Sequence, residues 1–265
     1  MLIEQLFKPF DTQQAQYEIT VPKNWSQGRT IYGGLSAALS YQAAENLIDD
    51  DRLVRSFHCN FIGPLMPEQP VHISAEILRS GKNVTQIVAK VSQNGQVGVM
   101  SQVCFGVDRD SAILQVATDR HNMPAPKKPK FIPLIPKVVP KFVQHFDYTF
   151  HKGDLSVTKS QDPVLHGWTK FSTAPKQMKI AHLIALMDAL PPTMLQMIRL
   201  PVPASTMSWN VEFINPELIL QGNQWVASQT EAHHIRNGYG HEQAKFWHEN
   251  GQLLAISKQV VAVFG

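Results

Sequence analysis

HCNFIGP, residues 58 to 64, returns as NVEFINP at residues 210 to 216, and the segments downstream of the first copy recur downstream of the second. Each copy closes a strand-like run with Phe, two residues and Pro: Phe61 to Pro64, then Phe213 to Pro216. Further on, NGQVGVMSQVCF (94 to 105) is answered by NGQLLAISKQVVAVF (250 to 264), and Asn-Gly between alternating runs is a strong hairpin signal. In the first copy Val71, Ile73, Ala75 and Ile77 alternate with His72, Ser74 and Glu76, as in a half-buried strand. Gly81-Lys82-Asn83 then makes a turn before VTQIVAKVSQ, a second alternating run. The second copy has QWVASQTEAHHI and GHEQAKFWH in the same places. A helical stretch precedes each copy: IYGGLSAALSYQAAENLI in the first, IAHLIALMDALPPTMLQMI in the second. Helix followed by antiparallel strands, twice over, predicts a duplicated α+β chain in which a sheet wraps an apolar helix.

Between the copies lies MPAPKKPKFIPLIPKVVPK, Met123 to Lys141, whose six prolines cannot continue a helix or a central strand. The predicted division is an N-terminal half over 1–122, a proline-rich linker over 123–141 and a C-terminal half over 142–265. The linker lysines read as a solvated connector rather than as phosphate contacts.

Composition removes several classes of function. With 265 residues and 43% hydrophobic content there is ample core for one large or two small domains. A net charge of +3 is too mild for nucleic acid, yet compatible with an anionic small ligand. No stretch approaches the ~18 apolar residues of a membrane span, and the start, MLIEQLFKPFDTQQ, has no signal-like apolar run, so a cytoplasmic protein without membrane insertion is expected. Cys59 and Cys104 sit in apolar surroundings without metal-ligand spacing and read as buried, inert thiols. His233, His234, His241 and His248 lack the paired spacing of a zinc site, so no metal is expected. A nucleophile elbow, a dinucleotide fingerprint and a P-loop are all missing, which argues against a serine esterase and calls for no cofactor. Exposed sheet edges predict a homo-oligomer, a dimer or larger.

One residue contradicts its surroundings. From Ile180 to Leu190 nearly every position is apolar, which marks a buried helix, yet Asp188 places a carboxylate there. Such a group needs a partner or a task. Gly33-Gly34 at the start of the first helix offers backbone N–H donors for an oxyanion, or else only a tight turn. His58, matched by Asn210 in the repeat, is either a substrate-binding side chain or the donor of a structural hydrogen bond.

The run RLVRSFHCNFIGPLMPEQPVHISAEILRSGKNVTQIVAKVSQNGQ (52 to 96) resembles the first-half signature of the acyl-CoA thioesterase II family. Its ordered parts are a Ser-Phe-His strand, the Phe-x-x-Pro bend, a long strand, an Arg-x-Gly turn and a strand closed by Asn-Gly. The resemblance implies a double hotdog, two tandem hotdog folds joined by a linker with their sheets side by side. It also implies hydrolysis of acyl-CoA thioesters by water held by an Asp, a Thr and a Gln of the second hotdog. These match Asp188, Thr206 (with Ser205 and Ser208 adjacent) and Gln259. In this reading Asp188 is the base, hydrogen-bonded by Thr206 and Gln259, while the first half supplies walls and the donors of Gly33-Gly34. Two other functions compete: a non-catalytic acyl-CoA or lipid-binding hotdog protein, and an acyl-CoA hydratase. The hydratase would want a His about five residues after the Asp, where this chain has Thr193.

Overall fold

The computed structural model describes residues 1–14, 16–135, 138–153, 160–198, 202–218 and 220–264, so linker residues 136–137 lie outside the described residues. The N-terminal half contains α1 (Ile3–Phe7), β1 (Gln16–Thr20), a small hairpin of β2 (Ser26–Gln27) and β3 (Thr30–Ile31), and α2 (Gly33–Glu45). It continues through β4 (Leu53–Phe61), β5 (Pro70–Ser80), β6 (Val84–Gln93) and β7 (Gln96–Gly106). The C-terminal half contains β8 (Phe146–Lys152), β9 (Val164–Phe171), α3 (Ile180–Met187), β10 (Ala204–Phe213), β11 (Val226–Arg236), β12 (Tyr239–His248) and β13 (Leu253–Val263). Eleven strands form one sheet in the order β1-β5-β6-β7-β4-β10-β13-β12-β11-β9-β8. The order β1-β5-β6-β7-β4 is mirrored by β9-β11-β12-β13-β10, with β8 added at the far edge. This is the double hotdog that the resemblance implies.

The two halves meet where β4 pairs antiparallel with β10, and His58 faces Asn210 there. These two residues are equivalents in the repeat, so a local two-fold axis passes between them. Along β4 the alternation sends Phe57 and Cys59 into the core and leaves His58 exposed on the outer face.

Inside the curve of the sheet, α2 and α3 pack against each other and run in opposite directions, with Asp188 at the end of α3 against Gly33 and Gly34 and Lys179 at its start near Glu45. Helix α2 is buried along almost its whole length, which explains why IYGGLSAALSYQAAENLI has no polar face. Small residues let it lie close to its neighbours, and Ser40 on α2 accepts a hydrogen bond from Ser101 on β7 at 3.0 Å. Each fully enclosed Leu or Phe in this core, such as Leu35, Leu39, Phe57 and Phe105, contributes roughly 1.5–3 kcal/mol.

Helix α3 stops at Met187, sooner than the apolar run suggests, because Pro191 and Pro192 cannot continue it. The chain resumes as a 3-10 turn over Thr193–Gln196. Two carbonyls, one in the last turn of α3 and one just beyond it, are satisfied from other elements: the Tyr32 hydroxyl donates to Ala185 O at 2.7 Å, and the Tyr148 hydroxyl to Ala189 O at 3.3 Å.

The segment entering the linker is not merely solvated. Trp247 donates its indole N–H to Asp119 O and Trp168 to Pro124 O, and Met123 packs between these indoles on the outer face of the C-terminal sheet. At the other end of the helix pair, α1 covers the start of α3, with the Phe7 ring edge-on to His182 at 4.9 Å.

Candidate active site

Asp188 is the C-cap residue of α3, at φ −87° and ψ 0°, in the sparsely populated bridge region where active-site residues recur. The antiparallel packing of the helices delivers its carboxylate to the first turn of α2. A side chain built on Gly33 would meet Asp188 Oδ2 at 3.2 Å; one on Gly34 would meet the Asp188 Cβ at 2.8 Å and the Tyr32 hydroxyl at 2.5 Å. Both positions therefore have a packing reason to be glycine, and neither has a left-handed backbone.

The Gly34 N–H donates to the Asp188 carboxylate, at a helix start that favours negative charge. Burial outweighs that hydrogen bond and pushes the carboxyl from 3.8 up to about 7. The residue itself is half-buried, but its carboxyl is surrounded by core groups. The buried Cys59 thiol and the Tyr32 and Tyr148 phenols are raised mainly by their own burial and further by the charge of Asp188.

Across the sheet one rung of paired residues runs from Ser101 on β7 through Cys59 on β4, Trp209 on β10 and Gln259 on β13 to Glu242 on β12. This rung faces the helices. Asp188 lies close enough to its second member, Cys59, for the carboxylate charge to act on that thiol, and Gln259 lies two strands further on, about 10 Å at ordinary strand spacing. Thr206 reaches the inner face through a bulge in β10, since Thr206 pairs with Val261 but Ser208 with Val260, leaving Met207 without a partner. Its hydroxyl then donates to Gln259 Oε1 at 3.3 Å.

Of the sequence candidates, Thr206 and Gln259 are in contact with each other, and Asp188 is in contact with Gly33 and Gly34. Among the described residues no hydrogen bond joins Asp188 to Thr206 or Gln259; the bond expected from those two side chains comes instead from the Gly34 backbone. His58 is not with them. It lies on the outer face, because its neighbours Phe57 and Cys59 take the inner one.

Sequence reasoning missed Glu242. It is 2% exposed, and its carboxylate accepts from Thr193 Oγ1 at 2.8 Å, Met194 N at 3.3 Å and Gln259 Nε2 at 3.2 Å. The signal was present: Glu242 shares one phase of its strand with Gly240, Ala244 and Phe246, and these three are small or apolar. An open depression of about 500 Å³ between residues 174–177 and 220–223 has none of these groups in its lining.

Residues 21–106 match the acyl-CoA thioesterase N-terminal domain family, and residues 117–263 the acyl-CoA thioesterase C-terminal domain family. Acyl-CoA thioesterase 2 of Haemophilus influenzae is 22% identical over 252 residues, covering 87% of this chain and 86% of that protein. Among solved structures, a hot dog fold protein of unknown function from Alicyclobacillus acidocaldarius has a TM-score of 0.84 at 22% identity, covering 98% of each chain. An acyl-CoA thioesterase II from Mycobacterium marinum has a TM-score of 0.71 at 16% identity, again covering 98% of each chain. The two family matches succeed one another along the chain as the two halves of the sheet do, and this chain belongs to the acyl-CoA thioesterase family.

Proposed function

We propose that the chain hydrolyses acyl-CoA thioesters to a carboxylic acid and free CoA by direct attack of water, with Asp188 as general base and Thr206 and Gln259 orienting that water. The observation that carries this reading is a carboxyl poised at about 7, at the start of α2 and above the sheet rung that carries Gln259. A base is most effective when its pKa lies near the working pH.

The water oxygen bonds to the thioester carbonyl carbon while one of its protons passes to Asp188. The carbonyl π electrons move onto oxygen, and the first-turn N–H groups of α2 left free by the Gly34–Asp188 bond, that of Gly33 foremost, stabilise the oxyanion. Collapse re-forms the carbonyl and breaks the carbon–sulfur bond. The departing thiolate takes the proton from Asp188, leaving the free thiol, the acid and the regenerated carboxylate.

Asp188 also accepts a hydrogen bond at a helix start, so a purely capping role is the second reading. Asp188→Asn separates the two. Asparagine keeps the shape and an acceptor for the Gly34 N–H, so release of free thiol from a panel of acyl-CoAs should fall by about 10²-fold or more while thermal melting shows an intact fold. Wild-type rates in the Asn variant would leave Asp188 as a cap and end the mechanism.

A further inference from the structure

We propose that Glu242 is a positioning residue of this site: it fixes which way the Gln259 amide faces, and through it the direction of the Thr206 hydroxyl. The inference rests on the roles proposed for Asp188, Thr206 and Gln259, and it adds a member that stands on β12, outside that set.

Burial raises the Glu242 carboxyl, while the donors Thr193, Met194 and Gln259 around it favour the charged form. In that ionised form it only accepts hydrogen bonds. Glu242 Oε1 is taken by Thr193 Oγ1 and Met194 N, and Oε2 faces Gln259 Nε2 at 3.2 Å. The Gln259 amide must therefore turn its NH₂ toward Glu242 and its Oε1 toward Thr206. The Thr206 hydroxyl, 3.3 Å from that oxygen, spends its hydrogen there. Its lone pairs are left over, so a water beside it must donate to Thr206, and in the mechanism proposed above the other hydrogen of that water goes to Asp188. A water that donates both hydrogens presents its own lone pair to the carbonyl carbon. The direction of the whole chain, from water to Thr206 to Gln259 to Glu242, is set at the end furthest from the reaction. That end is locked, because Glu242 is enclosed between β12 and the turn carrying Thr193 and Met194 and takes a main-chain N–H, which cannot reverse its sense.

Glu242→Gln keeps the shape and reverses the sense. The Met194 N–H holds the new amide oxygen at the Oε1 position, which puts NH₂ opposite the Gln259 NH₂ and forces the Gln259 amide to flip. Thr206 must then accept from Gln259, and its hydrogen points at the water.

The test is steady-state thiol release from a saturated acyl-CoA by the 265-residue chain and its variants, with thermal melts alongside. In E242Q, kcat should fall by about 10-fold or more, KM should stay within about 2-fold, and the melt should remain cooperative. In a Gln259→Leu background the same change should cost less than about 2-fold more, because there is no amide left to orient. The exchange E242Q with Gln259→Glu restores an acceptor-only group beside Thr206 and should recover kcat relative to E242Q; it also serves as the reading if E242Q alone folds poorly. Unchanged kcat in E242Q, an additive loss in the Gln259→Leu background, or an exchange variant no faster than E242Q would each overturn the inference. If Asp188→Asn is inactive while E242Q is unimpaired, only the role of Glu242 falls. If Asp188→Asn hydrolyses at the wild-type rate, the mechanism it rests on falls first.

Discussion

Asp188 holds its proton up to about pH 7 in the folded chain, against 3.8 for a free side chain. The folded state therefore binds more protons than the unfolded state between those two values, and this residue's stabilising contribution, complete below about pH 4, is lost as pH rises through about 7. Its activity as a base runs the other way. kcat/KM should rise with pH to a plateau above about 7 while stability declines over the same window, and Asp188→Asn should remove both slopes. Glu45 and Glu242, raised by burial, and His145 and His182, each lowered by burial to about 4, also contribute to the stability profile. The difference between wild-type and variant melts from pH 4 to 8 isolates Asp188. The Asn variant should melt higher at pH 8, by roughly 2–4 °C for each kcal/mol released. A variant that melts lower at pH 8 would show that the charged carboxylate, as a helix cap, outweighs its own desolvation. Asp188 was legible in the sequence because a carboxylate stood in an apolar helix. Glu242 was not, because on an alternating strand a glutamate reads as solvent-facing until its phase is compared with Ala244 and Phe246.

At the level of elements, the site exists because the end of α3 abuts the start of α2. Gly34→Ala tests that contact. Its Cβ would meet the Tyr32 hydroxyl at 2.5 Å and the Asp188 Cβ at 2.8 Å. Tyr32 has no freedom to retreat, being bonded to Ala185 O and stacked on Phe142 at 3.9 Å. The substitution should cost about 1–3 kcal/mol by overpacking and should lower thiol release further than the melt alone explains, because Asp188 is displaced. Gly33→Ala, with its nearest contact at 3.2 Å, should be milder on both measures. Element order, the two hairpin turns and the Phe-x-x-Pro bends could be read from the sequence, since each depends on local pattern. The bulge at Met207 could not. Counting by twos from the buried Trp209 turns Thr206 outward, and only the unpaired Met207 brings it back in.

In the molecule as a whole, the linker divides into a docked part and a free part, which local composition did not distinguish. Proline content marked 123–141 as exposed, yet Met123 and Pro124 are held by Trp168 and Trp247 from strands far along the chain. Limited proteolysis should therefore cut first around Ile113 and Leu114, the latter 88% exposed, and near Phe131, 86% exposed, while sparing 119–124. The nicked chain should still elute as one species under native conditions, since β4 and β10 share a ladder and α2 packs on α3. Separation of the fragments on a native column would mean that the ladder is too weak to hold the halves.

The pairing of His58 with Asn210, each the other's repeat equivalent, is the geometry that two identical chains adopt when they join edge to edge about a two-fold axis. In such a pair every substitution is made twice, and both ends of the helix pair must tolerate it. Tandem fusion removes that constraint. One end is then free to keep two glycines facing a carboxylate, while the other becomes a place where Phe7 lies against His182, and an inherited change in either has no obligatory echo in its twin.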